Sequence, residues 1–588
     1  MKKTILFVIF SLFGLFMYAQ NEASNWYFGE NAGIKFNANG SVSNLTDGML
    51  DTVEGCTTIS DDNGDLLFYT DGITVFNKLH QPMSNNDLFG DPSSTQSAIV
   101  IPKPDDLNIY YIFTVDTSNS LNSPSNLGFN YSIVDLTLNG GLGDVTSKNI
   151  NLLQASSEKI SAVLKDCESK SIWVITFANA NGLNSNFYDT FYAYEISNLG
   201  INTTPVPSTF NFSINDPRGY LKLSPDGTKL ASANSSNGLY LFDFDKATGI
   251  VSNPTLLNIN FTPPAGKIQA PYGVEFSQNN ELLYVTTSYN PSQAEFNNPN
   301  SQYGALLQYD LTATDINASE IVIDERTTYR GALQLGPNGK IYRSMSRTYN
   351  NGLPFLSVIN NPNQIGTACN YTHNALPLSS NARQGLPPFI SSFFTEKIDI
   401  VKNGFETTYL PLCVGESYTL ISEDIPGASY TWSKDGVILA ENDFDLVISQ
   451  PGAYDVLIEL NTGDCDTLEG AALVEYFDVP ITNSINDVLI CDSDNDGKFL
   501  FDFSMQTQEA LGVQNPSVYN IKYYLSKEDA DDNQNEISLP FLNTKNPQII
   551  YTRLGITGNN NCFDSSQSFT IQVFNTPIVN TIDPLEIC

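Results

Sequence analysis

A short pattern of apolar and polar positions recurs along the first two thirds of the chain, and its clearest copy spans residues 217–245. In that copy an apolar run at residues 220–223 is followed by a Pro-Asp-Gly turn and by a second alternating run at residues 229–233. A third alternating run, residues 239–244, follows a loop of Ser, Asn and Gly. Alternation with a period of two, interrupted by turn residues, predicts antiparallel β-strands.

Six further segments repeat this unit. They begin at residues 54, 95, 158, 270, 329 and 382, and the last of them lacks the turn and the second strand. A repeat of roughly 40 to 65 residues built from short strands is typical of propeller blades with variable outer loops. A small residue recurs at the equivalent position of each first strand: Gly55, Ser97, Ser161, Gly219, Gly273, Gly331 and Gly385.

The repeats predict an all-β fold, with a seven-bladed β-propeller over residues 20–396 and six or eight blades as alternatives. The aromatic hairpin at residues 26–36 is expected to supply the outer strands of the blade that residues 383–394 begin. Closure of this kind leaves no sheet edge open to other chains. Two β-sandwiches in tandem are the alternative, but they give no reason for a shared strand-turn-strand unit.

Two smaller β domains are expected after the propeller. Residues 397–480 are predicted to form an Ig-like sandwich, because Trp432 lies on a strand before a Lys-Asp-Gly turn and Tyr454 lies on a late strand. Residues 481–579 are predicted to form a second β-sandwich repeat. The final stretch, residues 580–588, ends in Leu-Glu-Ile-Cys and repeats an earlier Val-Leu-Ile-Cys after 97 positions, so we expect a further, truncated copy to begin there.

The chain begins with a stretch typical of exported proteins. Lys2 and Lys3 precede an apolar run at residues 5–17, and the small residue Ala19 follows. This pattern predicts a signal peptide over residues 1–19, and no later stretch is apolar for long enough to cross a bilayer. We therefore expect a secreted or outer-surface protein without membrane insertion.

The net charge of the chain limits the classes of molecule that it is expected to bind. The 588 residues carry 64 acidic against 28 basic side chains, which gives a formal net charge of −36. A charge of this sign repels phosphate backbones, so nucleic acid is excluded as a partner. The expected partners are extracellular glycans or surface proteins.

Eight cysteines are present in a chain that is expected to be exported, where disulfides persist. Their positions within the two small β domains favour the bridges Cys413–Cys465 and Cys491–Cys562. No CxxC pair occurs and the chain has only two histidines, so a zinc site is not expected. The pairing of three other cysteines stays open: Cys56, Cys167 and Cys369.

Several ordered motifs resemble the N-terminal region of a known family. They are WYFGENAGIKFN, GCTTISDDNGDLLFYTDGITVFN, GDPSSTQSAIVIPKP and ARQGLPPFISSFF, within residues 25–394. They are similar to the large Bacteroidetes surface proteins of the type B sorting, gliding-motility-associated family, which the type IX secretion system exports. The resemblance implies a propeller-like head, Ig-like repeats and a C-terminal sorting domain that engages the secretion machinery, with a role in adhesion or gliding. The sequence stops without that domain, so surface anchoring is expected of a longer parent.

An acidic stretch in the second small domain has the spacing of a calcium loop of the DxDxDG type, at Asp492, Asp494 and Asp496 with Gly497. Carboxylates at alternate positions around a glycine turn can face one hard cation. The bidentate Glu expected at the twelfth position is absent, because Phe503 stands there. A structural calcium ion and a solvated turn without metal are both open, and no other cofactor is expected.

Polar or aromatic side chains also precede or begin the seven predicted first strands, at the same end of each. First strands line the channel of a propeller, so these side chains are predicted to converge at one mouth and to bind a ligand. Three arginines there would bind a carboxylate or sulfate, unless they pair with Glu54 and Glu158 and fill the channel. The set is Glu54, Gln96, Glu158 with Lys159, Arg218, Tyr272, Arg330, and Arg383 with Gln384.

The expected function is non-enzymatic binding of glycan or protein partners by the propeller head. His80 and His373 lie outside any nucleophile motif, and no catalytic residue is assigned. One alternative is a secreted glycan hydrolase or lyase that uses the channel, with Tyr272 or a carboxylate performing the chemistry. Another is a head that serves only as a structural or secretion module.

Overall fold

The computed structural model describes residues 20–37, 40–117, 127–166, 169–183, 185, 187–289, 292–395, 397–404, 408–460 and 467–577. The predicted signal peptide and the predicted further copy at residues 580–588 lie outside these residues, as do Cys167, Cys465 and Cys588. The chain divides into two compact units, Met1–Glu396 and Lys397–Cys588. Both are built almost entirely of β-strands, so the all-β class is confirmed.

The described part of the N-terminal unit contains seven antiparallel sheets. Each inner strand begins the sheet, and the later strands follow outward in chain order, as strand-turn-strand repeats require. The first three sheets comprise β1 (Asn25–Phe28), β2 (Ala32–Phe36) and β3 (Val42–Leu45); β4 (Thr57–Ser60), β5 (Leu66–Thr70) and β6 (Val75–Asn77); and β7 (Ala98–Lys103), β8 (Asp106–Val115), β9 (Phe129–Asp135) and β10 (Asp144–Leu153).

Four more sheets complete this unit. The fifth of the seven sheets contains the clearest copy of the repeat, residues 217–245. Its observed strands match that prediction to within one residue at each end. The four comprise β11 (Ile160–Leu164), β12 (Ile172–Ala178), β13 (Tyr188–Ser197), β14 (Gly200–Ile201) and β15 (Val206–Ile214); β16 (Leu221–Leu223), β17 (Lys229–Asn234), β18 (Gly238–Asp245) and β19 (Ile250–Leu257); β20 (Gln269–Phe276), β21 (Leu282–Tyr289), β22 (Gly304–Asp310) and β23 (Ile321–Arg326); and β24 (Leu333–Leu335), β25 (Ile341–Arg343), β26 (Leu353–Ile359) and β27 (Tyr371–Ala382).

Short 3₁₀ helices connect some of these strands. They occupy Gln20–Ala23, Asn139–Gly141, Gln293–Glu295, Pro299–Ser301, Asn317–Ser319, Gly366–Cys369 and Ser391–Phe394.

Hydrogen bonds between neighbouring sheets close the N-terminal unit into a ring. Between the fifth and sixth sheets, the backbone N–H of Tyr220 donates to the carbonyl of Tyr272 over 2.8 Å. Between the seventh and first sheets, the N–H of Glu30 donates to the carbonyl of Asn381 over 2.9 Å. From the first sheet to the seventh, each sheet packs on the next mainly through its inner strands, which is the architecture of a β-propeller.

The recurring small residue is explained by the close approach of backbones near the axis of the ring. A Cβ atom on Gly385 would lie 1.6 Å from the carbonyl oxygen of Glu54, and one on Gly331 would lie 1.9 Å from that of Ser344. Side chains larger than hydrogen are therefore excluded at these two positions.

The segment at residues 383–394 differs from the expectation that it begins a blade shared with the N-terminal hairpin. Its bridge among the described residues joins Ile390 to Ala162, and β1 pairs with β2 in a sheet of its own. Pro387 and Pro388 interrupt the segment, and proline cannot donate a ladder hydrogen bond. The ring closes instead through the packing of β27 on β2.

The C-terminal unit begins with a domain of two sheets, whose core surrounds Trp432. The indole Nε1 of Trp432 donates to the carbonyl of Asp443 over 2.8 Å, which satisfies the one polar atom of this buried ring. The strand β28 pairs in parallel with the last strand of the domain. The strands are β28 (Tyr409–Cys413), β29 (Tyr418–Ile421), β30 (Ser429–Lys434), β31 (Val437–Ile438), β32 (Asp445–Ile448), β33 (Gly452–Glu459) and β34 (Thr467–Phe477).

A second C-terminal domain follows, and it contains two short helices that the β pattern did not predict. Phe503 lies at the centre of its core, in contact with Tyr523 and Phe569. The first strand again pairs in parallel with the last. The elements are β35 (Val488–Asp492), β36 (Leu500–Phe501), α1 (Ser504–Leu511), β37 (Tyr519–Tyr524), α2 (Lys527–Asp532), β38 (Phe541–Leu542), β39 (Gln548–Ile556), β40 (Asn559–Asp564) and β41 (Ser568–Asn575).

Candidate functional site

The predicted mouth residues lie where the inner strands of the N-terminal unit begin, and four of the side chains named there form one hydrogen-bonded network. Glu54 precedes β4, Tyr272 lies in β20, Arg330 precedes β24 and Gln384 follows β27. Because β4, β20 and β24 belong to three different sheets, the network joins parts of the ring that are far apart in sequence. We call these four residues the mouth network.

Arg330 is the centre of the mouth network. Its Nη2 lies 2.6 Å from Oε1 of Glu54, its Nε donates to Oε1 of Gln384 over 2.6 Å, and its guanidinium lies 4.4 Å from the centroid of the Tyr272 ring. The hydroxyl of Tyr272 donates to Oε2 of Glu54 over 2.8 Å. Burial disfavours the charged guanidinium, but Glu54 and the neighbouring tyrosines raise the pKa of Arg330 above its ordinary value.

Gln96 and Glu158 hold backbone segments together. Oε1 of Gln96 accepts the N–H of Leu221 over 2.8 Å, and its Nε2 donates to the carbonyl of the same residue over 3.1 Å. Oε2 of Glu158 accepts from both the N–H and the hydroxyl of Thr95, over 3.1 and 2.8 Å. Both side chains are buried, so their role in this geometry is to lock inner strands in register.

The other two arginines pair with carboxylates that the sequence did not indicate. Arg218 forms a bidentate pair with Asp216, with Nε–Oδ1 and Nη2–Oδ2 distances of 2.7 and 2.6 Å. Arg383 lies 2.8 Å from Oε1 of Glu30 and 2.9 Å from Oδ1 of Asp51. Each of the three arginines therefore has its own acidic partner, but only Arg330 pairs with one of the two glutamates that the channel-filling alternative names.

Lys159 is fully buried beside this region. Its Nζ donates to the carbonyl of Gly219 over 2.7 Å and also to the carbonyl of Ala233. Burial lowers the pKa of the amine to about 7, against the opposing effect of Glu158 and Asp216. Two carbonyl acceptors satisfy the amine without a salt bridge among the described residues.

A second buried ion pair lies deeper in the ring and was not predicted. Nζ of Lys222 lies 2.9 Å from Oε2 of Glu275 and donates to Oε1 of Gln334 over 2.8 Å. The same Glu275 oxygen accepts the N–H of Leu335 over 2.8 Å. One indication of this pair was present in the sequence, because Lys222 and Glu275 each lie within an apolar inner strand. Alternation between a buried side and a solvent-facing side does not explain a charged residue at such a position.

His80, which lies outside any nucleophile motif, has polar partners at both ring nitrogens. Its Nδ1 lies 3.0 Å from the hydroxyl of Tyr69, and its Nε2 lies 3.2 Å from Oδ2 of Asp47. The arrangement has the order of a hydroxyl-histidine-carboxylate triad. However, the hydroxyl belongs to a buried tyrosine whose pKa burial raises, so it is not an activated nucleophile.

A depression of about 540 Å³, lined by side-chain amides, lies on the face of the ring where the first strand of each sheet turns into the second. Its lining joins the turn between β20 and β21, the turn between β24 and β25, and the loop after β26. The depression is open to solvent, and its lining is mainly polar. Its amide side chains are Gln278, Asn338, Asn360, Asn361, Asn363 and Gln364.

Gly339 lies in a turn of this depression and leaves room for the side-chain amide of Gln278. It has a φ of +70°, and a Cβ there would lie 2.8 Å from Oε1 of Gln278. Asn361 is exposed, and its Nδ2 makes a long contact of 3.4 Å with the carbonyl of Ala368. An amide presents both a donor and an acceptor, which is the pattern that a sugar hydroxyl complements.

The three aspartates of the predicted calcium loop come together, with one carboxylate oxygen of each lying within 4.8 Å of the others. The oxygens of Asp492 accept the N–H groups of Asp494 and Gly497 over 3.1 and 2.7 Å. The hydrogen bond between the carboxyl groups of Asp492 and Asp494 raises the pKa of Asp494. Phe503 is in the core, so the twelfth position supplies no ligand, and the three carboxylates fit a hard cation only with further oxygen atoms.

The predicted disulfides are wrong. Cys413 bonds to Cys562, with a Cα–Cα distance of 5.9 Å, and so joins the first C-terminal domain to the second. Cys491 is exposed and has no disulfide partner among the described residues. Cys491 and Cys562 lie near opposite ends of β39, a strand of nine residues that spans about 27 Å, so they cannot bond to each other.

Comparison with known proteins assigns the second C-terminal domain. Residues 487–577 match the model of the Flavobacterium inter-domain disulphide bond domain. The match and the observed bond between domains agree, and together they indicate an extracellular domain. Within the described residues, no helix has the length and apolar character needed to cross a membrane. The curated proteins include no match to the chain.

Solved structures similar to the N-terminal part are distant. A protein from Lactobacillus plantarum is 16% identical over 62% of this chain and 98% of its own, with a TM-score of 0.34. A putative 6-phosphogluconolactonase from Bacteroides fragilis is 12% identical over 62% and 97%, with a TM-score of 0.35. The Pseudomonas aeruginosa periplasmic gluconolactonase is 12% identical over 60% and 97%, with a TM-score of 0.33. At these scores the similarity carries no inference about activity.

Proposed function

We propose that this chain is an exported surface protein whose N-terminal head binds extracellular glycans and whose C-terminal domains form a stalk. The observation that carries the binding proposal is the amide-lined depression, because the exposed amides of Asn361 and Gln364 each offer a donor and an acceptor without a charge. The side chains of Asn338 and Asn360 are hydrogen-bonded within the protein and hold the loops of the depression in place. The bond between Cys413 and Cys562 supports the stalk, since it fixes two successive domains to each other.

The proposal includes a seven-bladed head, one blade for each of the seven sheets. It also includes export by the type IX system and a role in adhesion or gliding, which rest on the motifs at residues 25–394. The C-terminal domain match supports an extracellular setting for both.

The mouth network favours binding without catalysis. Its arginine, carboxylate and tyrosine are buried and hydrogen-bonded to one another, so a substrate would have to break their bonds before reaching them. A hydrolase or lyase that uses the channel remains the alternative function. Product release distinguishes it from a binding protein.

The test is binding of the purified chain to an array of bacterial and algal polysaccharides. The double variant Gln278→Ala/Asn361→Ala removes two amides from the depression, and we expect it to weaken binding about tenfold, since each net hydrogen bond contributes about 0.5–1.5 kcal/mol. Asn300→Ala is the matched control, because Asn300 is an exposed asparagine outside the depression.

Two results would contradict the glycan assignment. The first is equal binding by the double variant and the wild-type chain, which would remove the depression as the site. The second is an empty array together with capture of outer-surface proteins, which would make the head a protein-binding module.

A further inference from the structure

Two arginines of the N-terminal unit share a single carboxylate. Arg326 is the last residue of β23, in the sixth sheet, and Arg343 is the last residue of β25, in the seventh. Nε and Nη2 of Arg326 lie 3.0 and 2.8 Å from the two oxygens of Asp324. Nη1 of Arg343 donates to Oδ2 of Asp324 over 2.9 Å. These three side chains therefore connect two neighbouring sheets of the ring.

The other arginine pairs of the ring have a different balance of charge. Among the described ion pairs, Arg218 and Arg330 each have a carboxylate of their own, and Arg383 has two. Asp324 instead serves two arginines, which leaves a positive charge without a counter-charge. The formal net charge of the whole chain is −36, so this local excess is opposite in sign to the overall charge.

The neighbouring carboxylate does not supply the missing counter-charge. Glu325 lies between Asp324 and Arg326 in β23, and alternation along a strand turns its side chain to the other side. There it accepts a hydrogen bond from the hydroxyl of Tyr303. The excess positive charge therefore belongs to the side of β23 that faces the seventh sheet.

Arg343 has a donor that the protein does not use. Its side chain is 2% exposed, and its Nε has no hydrogen-bond partner among the described residues. Nη1 makes the bond to Asp324 and also donates to the hydroxyl oxygen of Tyr371 over 3.1 Å. A buried N–H group without an acceptor costs free energy, so a further acceptor beside this guanidinium would be stabilising.

Two more side chains next to the arginines can donate to a ligand. Tyr371 accepts from Arg343, so its own O–H can point to another acceptor. Nδ1 of His373 lies 3.3 Å from the hydroxyl of Ser357. Burial lowers the pKa of His373, and the positive charges of Arg326 and Arg343 lower it further. The imidazole therefore responds to the charge at this place.

We propose that Arg326, Arg343, Tyr371 and His373 form a second binding site on the head, and that this site takes an oxyanion, either a carboxylate or a sulfate group. We call these four residues the oxyanion site. A guanidinium presents a planar pair of N–H donors that matches both groups, and the bidentate contact with Asp324 shows this geometry at Arg326. The ligand approaches over Arg326, whose side chain is 36% exposed.

This site goes beyond the proposed glycan site in the amide-lined depression. It uses different residues, and it requires a negative charge on the ligand. Uronate and sulfate-ester groups of acidic polysaccharides carry such a charge, and so do small free anions. The two sources share the same chemistry, and the test separates them.

The first measurement is retention of the full chain on immobilised polygalacturonate and carrageenan, with uncharged dextran for comparison. Arg326→Gln is expected to weaken retention on the charged polymers by about tenfold or more, because charge-assisted hydrogen bonds are lost. Arg343 keeps its bond to Asp324 in this variant, so the fold is expected to persist. Arg347→Gln is the matched control, since Arg347 is an exposed arginine between β25 and β26 and its loss changes the net charge equally.

The second measurement reads the site in solution with inorganic sulfate and free galacturonate as probes. The chain has two histidines, and the imidazole resonance that His373→Gln removes identifies this ring. An anion beside the ring favours its protonated form, so NMR titration is expected to give His373 a higher pKa in either probe than in chloride at equal ionic strength. Arg326→Gln should remove the difference, and His80 should titrate equally in all three solutions.

The outcomes separate this site from the depression. Gln278→Ala/Asn361→Ala should leave the effect of sulfate on His373 unchanged. A His373 pKa that is the same in both probes and in chloride would overturn the proposal. So would equal retention of Arg326→Gln and Arg347→Gln on a charged polymer that retains the wild-type chain. A response to the free anions without retention on either charged polymer would assign the oxyanion site to a small anion.

The proposal therefore stands or falls independently of the neutral glycan site. Loss of binding in the depression would not change the response of His373 to sulfate. Loss of the oxyanion site would not change retention on uncharged polysaccharides.

Discussion

Nη2 of Arg330 lies 2.6 Å from Oε1 of Glu54, although the two residues are 276 positions apart in sequence. The side chains are 5% and 1% exposed, so the pair is removed from water. A buried ion pair adds little net stability over a well-packed apolar pair, but removing one partner leaves a buried charge uncompensated. This pair joins the second and seventh sheets of the ring.

Breaking that pair is expected to destabilise the head. Arg330→Met should lower the free energy of unfolding of the N-terminal unit by about 3–5 kcal/mol, and Arg330→Met/Glu54→Gln should be less destabilised than the single variant. Urea unfolding in a Trp432→Phe background measures this, because Trp26 and Trp173 then report on the N-terminal unit alone. Equal destabilisation by the single and double variants would contradict the coupling.

The fold was predictable where the signal is local. Alternation and the Pro-Asp-Gly turn at residues 225–227 specify β16, β17 and β18 directly. The role of residues 383–394 was not predictable, because their partner is chosen by contacts around the whole ring. The disulfide was missed for the same reason, since Cys491 and Cys562 share a domain in sequence but lie near opposite ends of one strand.

The site was predictable only as far as the repeat extends. Glu54, Tyr272 and Arg330 stand at equivalent positions in the repeats, and in the structure their side chains contact one another. Asp216 and Glu30, which pair with the other arginines, lie outside the repeated strands, so no equivalence indicated them. The amide-lined depression was not predicted because each of its amides lies in a turn or loop and is ordinary there by itself.

Lys159 is expected to make the stability of the head depend on pH. Its pKa is about 7 in the folded protein and about 10.4 in the unfolded chain, so the unfolded state binds more protons between these values. The stability of the wild type relative to Lys159→Met should therefore rise with pH across this window, by up to about 1.4 kcal/mol per pH unit. Below pH 7 the two profiles should run parallel.

Urea unfolding of both proteins from pH 6 to 9.5, again in the Trp432→Phe background, gives this difference. Tyrosines with raised pKa values are present in both proteins, so their contributions to the pH dependence cancel in the difference between the two unfolding free energies. Parallel profiles across the whole range would contradict the assignment of a depressed pKa to Lys159.

The disulfide between Cys413 and Cys562 closes a sequence separation of 149 residues. Replacing both cysteines by serine should lower the stability of the C-terminal unit by about 2–5 kcal/mol. Scanning calorimetry of the full chain measures the shift. Reductant should reproduce it in the wild type and have no effect on the double variant, and a reductant-sensitive double variant would contradict this assignment.

Calcium binding by Asp492, Asp494 and Asp496 is a separate proposal. The three carboxylates repel one another, and a divalent cation would relieve that repulsion. Calcium at tenfold excess over its dissociation constant should stabilise the C-terminal unit by about 1.4 kcal/mol, and Asp494→Asn should abolish the effect. A calorimetric transition that is the same with millimolar calcium and with chelator would indicate a metal-free turn.

The central claim is that the head binds glycans and does not cleave them. The direct measurement is incubation of the purified chain with each polysaccharide on which it is retained, followed by quantification of bound chain and of newly formed reducing ends and unsaturated sugars. The expected result is saturable retention of the chain on the polysaccharide, with the polymer length unchanged. Release of shortened products by the wild-type chain would contradict it and would identify the head as an enzyme.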